Sequence, residues 1–522
     1  MSYRQISSKS RSDSLDPRSL EDKKAMAIEF VGQQMTKYPI PGMALSVVDQ
    51  DETVLAHGFG TKKFGQTDAP VTSDTLFQIG SFTKSFIALS VATLVDQEKM
   101  QWHDPVKQHL PSFTLMDKYA EEHTTVADLL SMNSVFGTYQ GDYAWAVGVY
   151  PTERTLVEHL AKFKTTRTFR AGWSYSNINY IVVGQVIEAV SHQPWEKYLR
   201  DAILAPLGMD HTVAQAIDAE PERLSAGHLY CDHNVAGPYD VLKDRHVAVV
   251  PQNGLMAAGS IISSAADISK FSTLLLQHGR GIVKNRAVFE AMVTGQQVVS
   301  VTGPEMESIG YYDFEPSRRV VGSGYGFDIV GNVAFGLDCY SKNGGTAGFL
   351  TESVFVPSRG LGVVLLSNAC PQDGDPASKI AMAQMRAYIL GIFLEIPKDT
   401  LDMLHQKAID NVRVTTEHIP CDTHCFGGEP WAKPGVEISE ATKQALVGTY
   451  SASTNEFMGT ATIFTRGNEL MMQYGAYTTP LLPTDDSNVV VWNIDMLLAP
   501  VTILGPGRIS MFYEEYARLE TN

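Results

Sequence analysis

Cysteine is scarce in this chain, and long apolar runs are absent. Its 522 residues include five cysteines. Cys231, Cys339 and Cys370 stand singly and only Cys421 and Cys425 are close, an odd count that makes no disulfide framework. No stretch reaches the ~18 uninterrupted apolar residues of a membrane span. The opening residues, Met1 to Ser12, are polar and basic and lack the apolar segment of a secretory leader. The C-terminal Leu519-Glu520-Thr521-Asn522 matches no retention or lipidation tag. Basic charge is in deficit as well: 41 Lys and Arg against 58 Asp and Glu leave a net charge of −17. Such a surface repels phosphate backbones and anionic lipid. These absences predict a soluble, cytoplasmic protein with no nucleic-acid or membrane partner.

Familiar site signatures are missing too. There is no Gly-x-Ser-x-Gly elbow, no Walker A loop, no His-Glu-x-x-His and no dinucleotide fingerprint. His418, Cys421, His424 and Cys425 crowd four potential zinc ligands into eight residues, and a linker loop is the better reading than a metal tetrahedron. The sequence therefore predicts no metal and no cofactor.

What the chain does have is apolar content, 44%, enough for a large buried core. Residues 1–20 are Ser- and Arg-rich and read as a disordered lead-in. Between residues 21 and 396, strands at Met43–Val48 and Val54–Gly58 open the pattern, and strands at Leu350–Val356 and Gly362–Ser367 close it. Helices at Ser81–Lys99, Thr125–Met132, Thr155–Lys162, Ile178–Val190, Trp195–Leu204 and Ala265–Gln277 lie between, and another follows at Lys379–Leu394. Strands at both ends with helices between predict an α+β fold in which the first and last strands share one sheet. Residues 397–436, rich in Pro and Gly, read as a linker. Short β runs from 437 to 522, separated by turns such as Gly505-Pro506-Gly507, predict a small all-β barrel or sandwich.

Three motifs carry chemistry. Ser81-Phe82-Thr83-Lys84 sets a hydroxyl and an amine on one helix face. A serine becomes a nucleophile when a neighbour takes its proton, and a lysine does so once burial or nearby positive charge lowers its pKa. Taken alone, so short a motif more often marks a polar helix cap followed by an exposed lysine. Tyr175-Ser176-Asn177 offers a phenol that neighbouring lysines can make acidic and an amide able to donate and accept. Lys342-Asn343-Gly344-Gly345 joins a cation to glycines that let backbone approach a ligand.

Together, and in this order, these motifs resemble those of the serine β-lactamase and penicillin-binding superfamily. The nearer likeness is to the class C β-lactamase and D-aminopeptidase/esterase branch. Ile40-Pro41-Gly42-Met43-Ala44, Asp74-Thr75-Leu76-Phe77, Pro206-Leu207-Gly208-Met209 and Gly254-Leu255 with Asp267 extend the resemblance over about residues 25–395. It implies a β-lactamase/transpeptidase-like antiparallel sheet flanked by helices, an all-helical subdomain, and a lipocalin-like C-terminal appendage. It also implies that Ser81 attacks an acyl carbon, that Lys84 and Tyr175 share the proton transfer, and that Asn177 and Lys342 bind substrate. By the same resemblance, the N–H groups of Ser81 and Gly345, with Gly344 beside them, would form the oxyanion hole. Two departures stand out. Ser131-Met132-Asn133-Ser134-Val135 replaces a usual His-Thr-Ser-Gly, so the loop bearing Tyr139, Gln140, Tyr143 and Trp145 is individual and lines the pocket. Asn343 replaces the usual threonine, which weakens carboxylate recognition.

The expected activity is a serine hydrolase cleaving an ester or peptide-like amide of a small molecule. Two alternatives stand: an acyltransferase passing the acyl group to a natural-product alcohol or amine, and a non-catalytic self-associating scaffold. A homo-oligomer is compatible with each.

Overall fold

Gly42–Asp49 is a near-continuous apolar run, the pattern of a strand covered on both faces, and it is buried almost throughout. Gln50 and Asp51, both at positive φ, turn the chain back into Glu52–Gly60. The computed structural model describes residues 18–243, 256–312, 314, 320–421, 437–494 and 497–520. The other edge of Gly42–Asp49 pairs antiparallel with Leu361–Ser367, Met43 opposite Ser367, so the first and last strands do meet. The sheet continues through Phe349–Val356, Leu337–Ser341, Ile329–Ala334, Val321–Ser323 and Gln297–Val299, with the short Gly344–Thr346 strand beside Phe349–Val356.

Alternation along the central strands feeds two cores. Met43, Leu45, Val363 and Leu365 pack with Phe30, Val31 and Ile389, while Ala44, Val364 and Leu366 join the core holding Phe82, Phe86 and Phe271. Helices Leu20–Lys37 and Ala377–Phe393 cover the first face, and Ala265–Leu276 covers the second. The helical subdomain wraps Thr83–Asp96, a helix apolar almost all round and accordingly interior.

At the C-terminus eight antiparallel strands, from Gly448–Ala452 to Glu514–Arg518, close into a barrel through Tyr450 opposite Arg518. Eight strands leave an interior that side chains just fill. Here Tyr450, Tyr474, Trp492 and Tyr516 fill it, all fully buried. The fold is therefore α+β with a small all-β domain after it.

Several expectations need correction. The linker expected at 397–436 opens instead with the helix Lys398–Thr415, which packs Leu401, Ala408 and Ile409 against the first core. Its amphipathic spacing was masked by the Pro and Gly that come later. Cys231 and Cys421 are joined in a disulfide, 190 residues apart with Cα atoms 5.7 Å from each other. Only the fold brings them together, so spacing alone could not pair them. Those two sulfurs adjoin Asp232, but bonded to each other they offer no thiolate to a metal. His424, Cys425, the Gly254-Leu255 landmark and most of the expected lead-in lie outside the described residues. Two barrel strands were not expected: Tyr477–Pro483 and Glu514–Arg518.

Candidate active site

Ser81 sits in a single 3-10 turn, Gly80–Phe82, which runs directly into the helix Thr83–Asp96. Gly80 has φ +52°, and a Cβ there would lie 2.6 Å from the Gly345 nitrogen. From the opposite side, a Cβ on Gly344 would lie 1.9 Å from the Ile79 carbonyl oxygen. Glycine at both positions lets the short Gly344–Thr346 strand press against the serine turn, which brings the Gly345 backbone beside Ser81.

Lys84 follows one turn later. Because its helix has no polar face, the lysine is carried inside and is 0% exposed, which removes the reading of a cap followed by an exposed lysine. Its Nζ lies 3.1 Å from Ser81 Oγ, 2.7 Å from Asn177 Oδ1 and 2.7 Å from the Ala258 carbonyl oxygen. Burial, reinforced by the Lys342 charge, holds its pKa well below the usual lysine value.

Tyr175 precedes the helix Asn177–Ser191. Its hydroxyl donates to Ser81 Oγ at 2.5 Å, and Lys342 Nζ approaches that hydroxyl at 3.5 Å. The Nζ atoms of both lysines lie over the Tyr175 ring, at 4.9 and 4.8 Å from its centroid. The expectation that these lysines make the phenol acidic is not met. Burial and the Asp328 charge push its pKa well up, and Lys342 is itself paired with Asp328 at 2.5 Å.

The remaining expected residues divide. Asn177 has both ends of its amide engaged, Oδ1 by Lys84 and Nδ2 by Asp142 Oδ2 at 2.6 Å. The residue itself remains half-buried. Tyr139 is 57% exposed, its ring 5.3 Å from that of Tyr175. Gln140 donates to the Lys164 carbonyl and accepts from the Gly137 N–H. Tyr143 stacks on Phe512 of the barrel, and Trp145 is buried in the core. Asp142, Asp328 and the Ala258 carbonyl escaped the sequence reading. The first two are single acidic residues among apolar neighbours, and the third is backbone; none belongs to a motif.

A serine hydroxyl flanked by a buried lysine, a tyrosine and a second lysine, on an antiparallel sheet with a helical subdomain, defines the penicillin-recognising serine enzyme architecture. The sequence profile described as Beta-lactamase matches residues 27–384, and the chain belongs to that family. It is 29% identical over 349 residues to the unguisins hydrolase ungD' of Aspergillus campestris, covering 65% of this chain and 60% of that relative. It is 26% identical to penicillin-binding protein 4 of Amycolatopsis lactamdurans, covering 64% of this chain and 82% of the other. In three dimensions it resembles the octameric penicillin-binding protein homologue from Pyrococcus abyssi, with TM-score 0.57 and 19% identity, over 95% of this chain and 99% of that one. It also resembles the D-amino acid amidase of Ochrobactrum anthropi SV3, with TM-score 0.54 and 20% identity, over 75% and 99%. The chain thus spans about three fifths of the length of the fungal hydrolase it matches.

Proposed function

We propose that this protein is a serine hydrolase that forms an acyl-enzyme at Ser81 on an ester or peptide-like amide of a small molecule. The observation that carries this reading is the position of Ser81 Oγ between Lys84 Nζ at 3.1 Å and Tyr175 OH at 2.5 Å.

Burial and the Lys342 charge favour a neutral Lys84, and its three neighbouring oxygens can accommodate one. A neutral amine has two N–H bonds and one lone pair. Asn177 Oδ1 and the Ala258 carbonyl accept the two N–H bonds, which leaves the lone pair facing the Ser81 hydroxyl. Lys84 takes the serine proton as Oγ bonds the acyl carbon. The Ser81 and Gly345 N–H groups receive the oxyanion. Tyr175, still protonated, relays the proton to the leaving alcohol or amine, with the charge of Lys342 beside it. Water then attacks the acyl carbon and frees Ser81. Tyr139, half exposed beside Tyr175, contacts the acyl or leaving group at the mouth.

The fungal relative's name supports hydrolysis and that of the D-amino acid amidase supports an amide substrate, and the same acyl-enzyme given an alcohol or amine instead of water becomes a transferase. Self-association belongs to this reading because the Pyrococcus relative is octameric. The Cys231–Cys421 bridge weighs against the expected cytoplasmic home, since such bonds form in oxidising surroundings.

The test pairs a fluorophosphonate probe with p-nitrophenyl esters and D-aminoacyl anilides. Wild type is expected to label and turn over, and Ser81→Ala to lose both by about 10,000-fold or more. A wild type that does neither, or a Ser81→Ala that does both, overturns the proposal. Adding alcohol or amine acceptors then separates transfer from hydrolysis.

A further inference from the structure

The Lys84 arrangement depends on which way the Asn177 amide points. With Oδ1 toward the lysine, the amide accepts an N–H and the lone pair is left for Ser81. Turned over, the amide would aim an N–H at that lone pair and occupy it. Nothing in an asparagine alone decides between these two orientations, because its oxygen and nitrogen are nearly equal in size.

A carboxylate does decide it. Asp142 Oδ2 accepts from Asn177 Nδ2 at 2.6 Å, and an ionised carboxylate only accepts, so Oδ1 is forced toward Lys84. We propose that Asp142 is a positioning residue that orients the Asn177 amide, and through it the proton acceptor Lys84, for the Ser81 reaction. The inference rests on the hydrolase reading of the same site.

The local structure supports a dedicated role. Asp142 opens the short helix Asp142–Ala146 after Gly141, whose φ is +82° and whose Cβ would lie 2.7 Å from the Phe163 ring. The turn therefore admits only glycine, and it drives Asp142 inward. The second carboxylate oxygen, Oδ1, is buried with no hydrogen-bond partner among the described residues. A buried carboxylate satisfied on one side costs stability, so packing alone does not account for it. Burial raises its pKa to about 6, against the pull of the Asn177 bond and the Lys84 charge.

Asp142 also acts through its charge. Lys84 is faced by Lys342, which lowers its affinity for a proton, and by Asp328 and Asp142, which raise it. The rings of Tyr175 and Tyr180 lie 4.9 and 5.6 Å from its Nζ. Removing the Asp142 charge leaves Lys84 neutral to lower pH, so the acid limb of the rate profile moves down. Asp142→Asn keeps an oxygen that can accept from Asn177 and removes the charge, whereas Asp142→Ala removes both.

The experiment measures kcat and KM for a p-nitrophenyl ester across about pH 5 to 10, with fluorophosphonate labelling of Ser81 and thermal melting alongside. Asp142→Asn is expected to retain most of the neutral-pH kcat and to shift the acid limb to lower pH. Asp142→Ala is expected to lose kcat by about 100-fold with KM little changed, as misplacement of a reacting group does. Both variants matching wild type in profile and labelling overturns the inference while the hydrolase reading stands. Equal kcat losses in both variants, with equal falls in melting temperature, assign Asp142 a packing role and overturn it too. A wild type that never labels defeats the hydrolase reading instead.

Discussion

Tyr175 and Tyr474 make a useful pair. Both tyrosines are buried, one in the site and one inside the barrel, and burial pushes both hydroxyls well above the usual tyrosine pKa. Their surroundings differ. The Tyr474 hydroxyl donates to the Met458 carbonyl and meets the Tyr516 hydroxyl at 3.2 Å, which satisfies it and holds the barrel core. The Tyr175 hydroxyl donates to a serine oxygen, with a lysine ammonium at 3.5 Å behind it. A perturbed titration is thus common to both regions. What separates chemistry from architecture is whether the hydroxyl's partner can itself react.

This contrast breaks most decisively at Tyr175. Tyr175→Phe is expected to lower kcat on an ester by about 100- to 10,000-fold, the range for losing a proton-transfer group, with the melting temperature nearly unchanged. Esterase assay beside thermal melting checks it, and a fully active variant would reduce Tyr175 to a wall of the pocket.

A smaller effect separates the two regions by acid. His228 is buried, donates from Nδ1 to the Asn368 carbonyl and accepts at Nε2 from the Phe64 N–H, so it must be neutral. Burial lowers its pKa, and that of His405, from 6.5 to about 4. Because the unfolded chain binds these protons first, the stability they contribute is present above pH 6.5 and is lost as pH falls toward 4. The loss approaches about 3 kcal/mol for each group once the pH is below its folded pKa. Residues 437–522 contain no histidine. Hydrogen exchange on acidification should therefore rise in peptides around His228 and His405 before it rises in the barrel; simultaneous loosening would count against this assignment. Smallest of all, Tyr474→Phe is expected to cost about 1 kcal/mol of stability, the worth of one buried hydrogen bond, and to leave esterase activity at the wild-type level.

How far the sequence reached follows from which interactions repeat along it. The apolar runs at Met43–Val48 and Gly362–Ser367 announced central strands because covered strands carry nothing else. Ser81, Lys84, Tyr175 and Lys342 were legible because short fixed spacings hold them. Asp142 and Asp328 were not, since each reaches its partner through the fold alone. Tyr477–Pro483 hid behind Pro480 and Pro483, residues that argue against a strand. Glu514–Arg518 hid behind its charges, which a barrel tolerates on its outer face. Helix Lys398–Thr415 was missed because its short apolar stripe, Leu401, His405, Ala408 and Ile409, was averaged with the proline-rich stretch beyond it.

The pairing of residue 43 with residue 367 also bears on how the chain is made. At roughly 5–20 residues per second of synthesis, strand Gly42–Asp49 leaves the ribosome tens of seconds before its neighbour Leu361–Ser367 exists. For that interval its hairpin with Glu52–Gly60 presents one apolar edge with nothing to pair. Ser81, emerging soon after, has no sheet to lean on until Gly344–Thr346 arrives. Ser81 is therefore among the earliest of these residues to be translated and among the last to be fully supported, and the barrel follows a module that has only just closed.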